Sequence, residues 1–246
     1  MNHISKVSYI QGLTKKIDMK IIKILSLTLA LILTTSCQSN TDKKTEDQNA
    51  TELVEVVKFT TQDLEAFETA YFASGCFWCV EAIFESVKGV KEVVSGYSGG
   101  TEKNPTYEQV AGGQTSHAEA VKVYYDADEI SFTALVQVFF GSHDPTSLNR
   151  QGPDRGPQYR SVAFYKNAKE KKIIDGYIGV LREHDVYQGA PITTEVIEFT
   201  KFYDAEDYHQ DYERKHPNNS YITNVSIPRL NRFKENFKDY LKEEAH

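Results

Sequence analysis

Apolar and polar residues alternate in short segments from residue 68 onward, as half-buried β-strands require. Each segment has the length of an ordinary strand and is followed by turn-forming or helical sequence. We predict strands over residues 68–73, 90–95, 118–125, 161–165 and 192–199.

Between these segments, apolar residues recur with helical spacing instead. The first predicted helix follows residue 75 and stops before Gly89, a natural helix terminator. A second begins near residue 131, and a third begins at the capping-box-like pair Asn167 and Glu170. Residues 205–216 and a segment near the C-terminus also have helical patterns.

Strands that alternate with helices over this length predict an α/β (α+β) fold with a single layered sheet in residues 67–246.

The net charge is −7 and no long basic run is present, which argues against nucleic-acid binding. Residues 142–160 form a long loop crowded with Gly, Pro, Asp and Arg, and such loops are usually functional. We expect the domain to be a monomer.

The N-terminal pattern is different. Lys20 and Lys23 precede an apolar run at 24–33, and small residues follow up to Cys37. These are the parts of a secretory signal, and ten apolar-rich residues are too few to span a bilayer. Residues 1–36 therefore form a predicted signal region. We expect translation to begin at Met19, because the residues before it match no part of such a signal.

This signal resembles that of a bacterial lipoprotein, in which the cysteine is lipidated and becomes the mature N-terminus. The resemblance implies a lipid on Cys37; the alternative is an ordinary cleaved signal followed by an unpaired cysteine. Residues 37–66 are largely polar and predict a flexible tether. The expected location is therefore the cell envelope, at a bacterial membrane, where disulfides can form.

Two of the three cysteines lie three residues apart in 74-SGCFWCVEAIF-84. If a helix begins after Gly75, Cys76 lies at its N-terminus, where backbone N–H groups and the helix dipole favour a thiolate. Cys79 lies on the same side of that helix. The second thiol could therefore attack an oxidised form of the first.

Other interpretations of the pair stay open at this point. Cys76 could be a small buried apolar residue, or the pair could form a structural disulfide. Half of a zinc site is also conceivable, but no second CxxC or closely spaced His pair exists, so we expect no metal. A thioredoxin-like oxidoreductase also uses CxxC, although Phe77 and Trp78 are bulky for a site that receives a protein disulfide.

The segment GCFW followed by VEA resembles the signature of the A-type peptide methionine sulfoxide reductases. Five further segments resemble that family in the same order, so the similarity covers about residues 69 to 230. They are 96-GYSGG-100, 104-NPTYEQV-110, 116-SHAEAVKVYYD-126, 153-PDRGPQYRS-161 and 202-FYDAEDYHQDY-212. The resemblance implies a two-layer α/β sandwich with a ferredoxin-like core and long functional loops.

The resemblance also implies roles for the site residues. A sulfoxide sulfur is a poor electrophile until its oxygen is protonated or strongly hydrogen-bonded, so the site needs a thiolate and donors aimed at that oxygen. The family's nucleophile matches Cys76 and its acid matches Glu119. The remaining matches are Tyr107 and Tyr159 as phenol donors, Asp154 in the active-site network, and Phe77 and Trp78 lining the pocket for the substrate methyl group.

Each of these residues has a plainer interpretation when it is taken alone. The chain has 15 tyrosines, so Tyr107 or Tyr159 could simply pack in the core or lie on the surface. Glu119 between two alanines could be solvated, and Asp154 could form a turn. To donate a proton, Glu119 must be neutral, which requires an apolar site that raises its pKa.

The resemblance implies a sulfenic acid on Cys76 that a second thiol must remove. Many relatives have resolving cysteines near the C-terminus, but Ile222 follows Tyr221 here and no cysteine follows Cys79. We therefore predict that Cys79, where many relatives have glycine, closes a disulfide with Cys76, although an external thiol could act instead. A thioredoxin-like donor would reduce that disulfide, and no bound cofactor is expected.

The predicted function is reduction of methionine sulfoxide, of one epimer (the S form in this family), in oxidised proteins and in the free amino acid. The alternatives are a general thiol–disulfide oxidoreductase that uses Cys76 and Cys79, and a module that binds thioether-like side chains without turnover.

Two histidines, His117 and His209, could act as acids or bases. We expect that His117 is not the acid, and that His209 orients its neighbours through hydrogen bonds.

Overall fold

A computed structural model describes residues 59–243, and eight strands lie in this part of the chain. The predicted signal region, the start at Met19 and the lipidation site at Cys37 lie outside the described residues, as does most of the predicted tether. The strands are β1 (Glu68–Ser74), β2 (Val90–Ser98), β3 (Ala118–Tyr125), β4 (Arg150–Gln151), β5 (Asp154–Arg155), β6 (Ser161–Tyr165), β7 (Glu195–Glu198) and β8 (Phe202–Asp204).

Helices connect most of these strands. The α-helices are α1 (Thr61–Leu64), α2 (Phe77–Glu85), α3 (Tyr107–Ala111), α4 (Phe132–Ser142), α5 (Ala168–Glu183), α6 (Tyr212–Lys215) and α7 (Ile227–Asn236). Short 3₁₀ turns lie at Pro157–Tyr159, Asp207–His209 and Lys238–Tyr240, and a π-helical turn, Ile222–Ser226, precedes α7. Within residues 59–243, no helix is long and apolar enough to cross a membrane.

Six strands form one sheet in the order β7-β6-β1-β3-β2-β8, and β4 and β5 form a separate hairpin. The four central strands are antiparallel, and they are joined as β1-α2-β2-β3-α4-β6. This βαββαβ arrangement is the ferredoxin-like motif, so the predicted fold is confirmed. β7 lies parallel to β6 at one edge, and β8 pairs with β2 at the other.

The alternation that predicts the strands also separates the two faces of the sheet. Phe72, Val121 and Val123 lie on the face covered by helices α2, α4, α5 and α7, where most of the core lies. Their neighbours, including Tyr71 and Ala120, form a smaller apolar cluster on the opposite face. The molecule therefore has two layers, and a charged residue on the helical face must be buried.

Several elements differ from the prediction, among them β2, β7 and the segment 205–216. β2 continues through Gly96, because that glycine lets the backbone of β8 approach: an added Cβ would lie 2.3 Å from the Tyr203 carbonyl oxygen. β7 is shorter than the predicted strand at 192–199. The predicted helix at 205–216 is divided into a 3₁₀ turn and α6, because Asp211 between them has a left-handed backbone (φ 57°).

Candidate active site

Gly75 forms the turn between β1 and α2 that presents Cys76. Its φ of +92° is a conformation that favours glycine, and an added Cβ would lie 2.7 Å from the Cβ of Gln151. Cys76 then caps α2, with helical backbone beginning at Phe77. The sulfur of Cys76 is thereby fixed at the start of a buried helix.

Arg229 of α7 anchors the same turn from the other side. Its guanidinium donates hydrogen bonds to the carbonyl oxygen of Ser74 at 3.0 Å and to that of Ser142 at 2.9 Å. These two bonds join the end of β1, the end of α4 and the start of α7 next to the cysteines. Sequence reasoning missed Arg229, because a single arginine in an amphipathic helix carries no motif.

Glu119 of β3 lies on the helical face of the sheet and is only 2% exposed. Its Oε2 accepts a hydrogen bond from the backbone N–H of Phe77 at 3.0 Å, which places the carboxyl beside Cys76. Burial raises the pKa of Glu119 to about 8. The structure therefore provides the neutral acid that the sulfoxide chemistry requires, and the plainer interpretation of a solvated glutamate is wrong.

The phenols of Tyr107 and Tyr159 lie within electrostatic range of this acid. Burial raises the pKa of Tyr107 to about 12 and that of Tyr159 further, and the charges of Glu119 and Cys76 contribute to both shifts. Gln158 donates a hydrogen bond to the carbonyl oxygen of Ala111 at 3.0 Å, which joins the turn carrying Tyr159 to the helix carrying Tyr107. Both hydroxyls remain protonated donors at neutral pH.

Glu206 fixes the helix that carries Tyr107. Its carboxylate accepts the backbone N–H of Tyr107 at 3.0 Å and the hydroxyl of Tyr97 at 2.9 Å. Because Glu206 lies 99 residues from Tyr107 in the chain, only the folded structure shows this contact. The segment containing Glu206 is one of those that resemble the family, but its spacing alone does not reveal the partner.

Aromatic rings surround the two residues between the cysteines. The ring of Trp78 stacks on that of Tyr212 at 3.8 Å, and its Nε1–H donates to Nδ1 of His209 at 3.2 Å. The His209 ring also lies 5.0 Å from that of Phe77 and 4.3 Å from that of Tyr107. His209 thus orients its neighbours as predicted, and these rings give the site an apolar wall.

His117 has a different role. Its Nε2–H donates to the carbonyl oxygen of Glu102 at 2.8 Å, and its Nδ1 accepts the backbone N–H of Gly100 at 3.2 Å. Both ring nitrogens are therefore used to fix a loop. That His117 is not the acid stays a prediction, and these contacts agree with it.

Cys79 is buried next to Cys76, and both thiols are reduced. Its Sγ lies 3.7 Å from the hydroxyl of Tyr221, and that hydroxyl donates to Oδ2 of Asp154 at 2.6 Å. Asp154 of the β4–β5 hairpin thus joins the site through Tyr221. Sequence reasoning noted Tyr221 only as the neighbour of Ile222 and missed this contact.

The charge distribution of the cysteine pair differs from the expectation. Burial, together with a hydrogen bond to Cys79, raises the pKa of Cys76 well above its usual value. The hydrogen bond from Cys76, assisted by the positive charge of Arg229, lowers the pKa of Cys79 to about 6. Burial thus opposes the acidity that the helix N-terminus was expected to give Cys76, and the two thiols share the hydrogen bond between them.

The structure shows no metal centre in the residues that it describes: no group of three or more His, Cys, Asp and Glu side chains there could hold an ion. Instead, the described site contains one buried neutral acid, the phenols of Tyr107, Tyr159 and Tyr221, two thiols and an apolar wall. This set can transfer an oxygen atom from sulfur to sulfur, because it supplies a nucleophile together with donors for the departing oxygen.

Comparison with known proteins supports this chemistry. The sequence model of the peptide methionine sulfoxide reductase family matches residues 68–241. The chain belongs to the peptide methionine sulfoxide reductase family. As a member, it is an oxidoreductase that reduces methionine sulfoxide, of the S epimer, and this activity agrees with the prediction.

Two kinds of relative illustrate the match. "Peptide methionine sulfoxide reductase MsrA 1" of Rhodopirellula baltica is 49% identical over 188 residues, which are 76% of this chain and 95% of that protein. Methionine sulfoxide reductase A of Corynebacterium diphtheriae shares the fold with a TM-score of 0.55 at 35% identity, over 61% of this chain and 75% of that one. Mxr1 from Saccharomyces cerevisiae in its reduced form gives 0.56 at 33% identity, over 63% and 88%.

Membership of this reductase family favours sulfoxide reduction over the two alternatives, a general thiol–disulfide oxidoreductase and a binding module. The geometry agrees, because the thiols lie beside a neutral acid and an aromatic wall. The structure brings together all of the predicted site residues within the described chain: Cys76, Phe77, Trp78, Cys79, Tyr107, Glu119, Asp154 and Tyr159.

Proposed function

We propose that this reductase works through Cys76 as the nucleophile, Glu119 as the acid and Cys79 as the resolving thiol. One observation carries the proposal: the buried carboxyl of Glu119 is held by the N–H of Phe77, next to Cys76 and within electrostatic range of both phenols. Phe77 and Trp78 form the wall that receives the methyl group of the substrate. The acid, the sulfur and the substrate sulfoxide can thus meet at one point.

The first step reduces the substrate. Cys79, which has the lower pKa, takes the proton of Cys76, and the Cys76 thiolate attacks the sulfoxide sulfur. Glu119 gives its proton to the sulfoxide oxygen, while Tyr107 and Tyr159 donate hydrogen bonds to it. The protonated oxygen passes to Cys76 as the sulfur–sulfur bond breaks. Methionine leaves, reduced by two electrons, and Cys76 becomes a sulfenic acid.

The second step closes a disulfide. Cys79 attacks the sulfur of the sulfenic acid, the S–O bond breaks, and hydroxide leaves and is protonated to water. Ile222 occupies the position where many relatives have a resolving cysteine, and its side chain is fully buried. Cys79 is hydrogen-bonded to Cys76 already, so it needs no large movement to react.

An external dithiol returns the protein to its reduced state. A thioredoxin-like protein fits this step, because its two thiols become a disulfide while Cys76 and Cys79 regain their thiols. The cycle then requires no bound cofactor. A Cys76–Cys79 disulfide closes a very short loop, and strained disulfides of this kind are readily reduced.

The proposed location is the cell envelope. The support is in the sequence: a charged segment, an apolar run and small residues precede Cys37, and a polar tether follows. A monomer held at a bacterial membrane by a lipid on Cys37 would repair oxidised envelope proteins within reach of the tether. Mass spectrometry of the mature N-terminus tests this: a diacylglyceryl group on Cys37 supports the anchor, and retention of residues 1–36 contradicts it.

The catalytic roles are tested with the full-length protein, chiral methionine sulfoxide and dithiothreitol. We expect methionine release from the S epimer, and complete loss of release in Cys76→Ser. Cys79→Ser should release one equivalent of methionine per protein but lose turnover with a thioredoxin-like donor. Release from Cys76→Ser, or unchanged turnover of Cys79→Ser with that donor, would contradict the assigned roles.

A further inference from the structure

The hydroxyl of Tyr221 lies between two groups that can each hold a proton. It is 3.7 Å from Sγ of Cys79 and 2.6 Å from Oδ2 of Asp154. The backbone N–H of Tyr221 donates to Asn219 at 2.9 Å, and its ring lies edge-on to Trp78 at 5.9 Å. Contacts at both ends of the residue thus hold the hydroxyl in this position.

A phenol has one proton to donate, so these three groups have two complementary arrangements. In one, Cys79 keeps its proton and donates to Tyr221, which donates to the Asp154 carboxylate. In the other, Asp154 is protonated and donates to Tyr221, which donates to a Cys79 thiolate. The two arrangements differ only by the shift of one proton along each hydrogen bond.

We infer that Tyr221 is a further catalytic residue, which carries a proton from Cys79 to Asp154 when Cys79 attacks the sulfenic acid. The inference rests on the proposed role of Cys79. After the first step Cys79 holds the proton that it took from Cys76, and the thiol of Cys76 whose hydrogen bond lowers the pKa of Cys79 in the reduced pair has been oxidised. Only the thiolate of Cys79 can attack the sulfenic acid. Cys79 is 2% exposed, so solvent cannot readily take this proton directly, whereas Asp154 is half-buried and reaches solvent.

The electrostatics of the three groups agree with this geometry. Burial raises the pKa of Asp154 above its usual value, which makes its carboxylate a better acceptor for the proton of Cys79. Burial also raises the pKa of Tyr221, so the phenol must accept one proton as it gives up another. The titratable and charged groups that face Cys79 are Cys76, Glu119, Asp154, Tyr221 and Arg229.

The step is balanced in atoms and electrons. The thiol of Cys79 and the sulfenic acid of Cys76 become a disulfide and one molecule of water. The S–S bond forms as the S–O bond breaks, so the sulfenic sulfur is reduced and the Cys79 sulfur is oxidised. One proton leaves Cys79 through Tyr221 to Asp154, and one proton is taken up by the leaving hydroxide.

Acid-quenched single turnovers of the full-length protein test the inference. Mass spectrometry measures the amounts of Cys76–Cys79 disulfide and of sulfenic acid. Each amount is divided by the amount of methionine released in the same sample. At pH 7 we expect Tyr221→Phe and Asp154→Asn to accumulate sulfenic acid and to form the disulfide about 10²-fold more slowly. With Cys76 oxidised, Cys79 lacks the hydrogen bond from the Cys76 thiol, so above the ordinary thiol pKa of about 8.5 hydroxide deprotonates it and both variants should regain the wild-type rate.

Tyr240→Phe is the matched control, since it also removes a part-buried hydroxyl, one that donates to Gln137. Its rate of disulfide formation should equal that of the wild type at every pH. Two results would overturn the relay: a wild-type rate in Tyr221→Phe at pH 7, or a slow rate that no increase in pH restores. Failure of the proposed function gives a different result: Cys79→Ser would then turn over normally with a thioredoxin-like donor.

Discussion

Two buried glutamates, Glu119 and Glu81, share most of their local properties. Each is 2% exposed and accepts a backbone N–H, from Phe77 at 3.0 Å and from Asp211 at 3.1 Å respectively. Burial raises the pKa of Glu119 to about 8 and that of Glu81 to about 9. Both carboxyls are therefore neutral at pH 7.

Their surroundings differ. Glu119 faces the cysteine pair and the two phenols, whereas Glu81 lies among other carboxylates, including Glu85 and Asp211. The comparison shows that burial is sufficient to make a carboxyl neutral but not to make it a catalyst. Catalysis also requires that the proton point at the reacting atoms.

The sharpest test of this comparison is Glu119→Gln. The amide can still accept the N–H of Phe77, but it has no proton to give to the sulfoxide oxygen. We expect methionine release in a single turnover at pH 7 to fall by about 10²–10⁴-fold, the usual contribution of general acid catalysis. The same substitution at Glu81 should leave the rate unchanged, and a loss of less than tenfold at Glu119 would contradict its role.

The pH dependence of the reduction step separates the two carboxyls further. The rate should rise through about pH 6 as the Cys79 thiolate forms, and fall through about pH 8 as Glu119 loses its proton. Above pH 8 the fall should approach about tenfold per pH unit. Rapid-quench measurements from pH 5 to 10, in three buffers, would show this bell-shaped profile. Glu81→Gln should keep both the acidic rise and the alkaline fall of the rate. If the alkaline fall persists in Glu119→Gln, Glu119 is not the group that causes it.

The smallest expected effect is on stability. Because folding raises the pKa of Glu81 from about 4.3 to about 9, the folded protein binds this proton more tightly than the unfolded chain. The stability that this proton provides is complete below about pH 4 and is lost as the pH rises towards 9. Glu81→Gln resembles the protonated form at every pH, so it should increase the free energy of unfolding by about 3 kcal/mol at pH 7.

Urea unfolding at pH 5, 7 and 8.5 measures this difference. The advantage of Glu81→Gln over the wild type should grow with pH across that series. A constant difference would mean that the change acts through packing or the hydrogen bond to Asp211, and not through the proton.

Local signals were sufficient to predict much of the fold. β3 has the predicted bounds, and α5 begins at its predicted cap, where the side chain of Asn167 accepts the N–H of Glu170. The segment 205–216 could not be predicted in this way. Its helix is interrupted at Asp211, whose N–H donates to Glu81, and those residues lie 130 positions apart.

The residues of the candidate site also fall into two groups, those that could be predicted from the sequence and those that could not. Its motif residues, from Cys76 to Tyr159, could be identified by resemblance, because they lie in short segments in a fixed order. Glu206, Tyr221 and Arg229 could not, because each acts through a partner more than 60 residues away. The acidity of the cysteines also depends on burial and on the hydrogen bond between them, so the position of Cys76 at a helix N-terminus is not sufficient to predict it.

The position of Trp78 has an optical consequence. It is the single tryptophan of the chain, it lies between the two cysteines, and its ring stacks on Tyr212. Fluorescence that is excited at the long-wavelength edge of protein absorbance, where tryptophan absorbs and tyrosine does not, therefore comes from the active site alone. Each oxidation state of the neighbouring sulfurs changes the polarity and quenching around this indole, so the protein contains its own fluorescent reporter of the catalytic cycle.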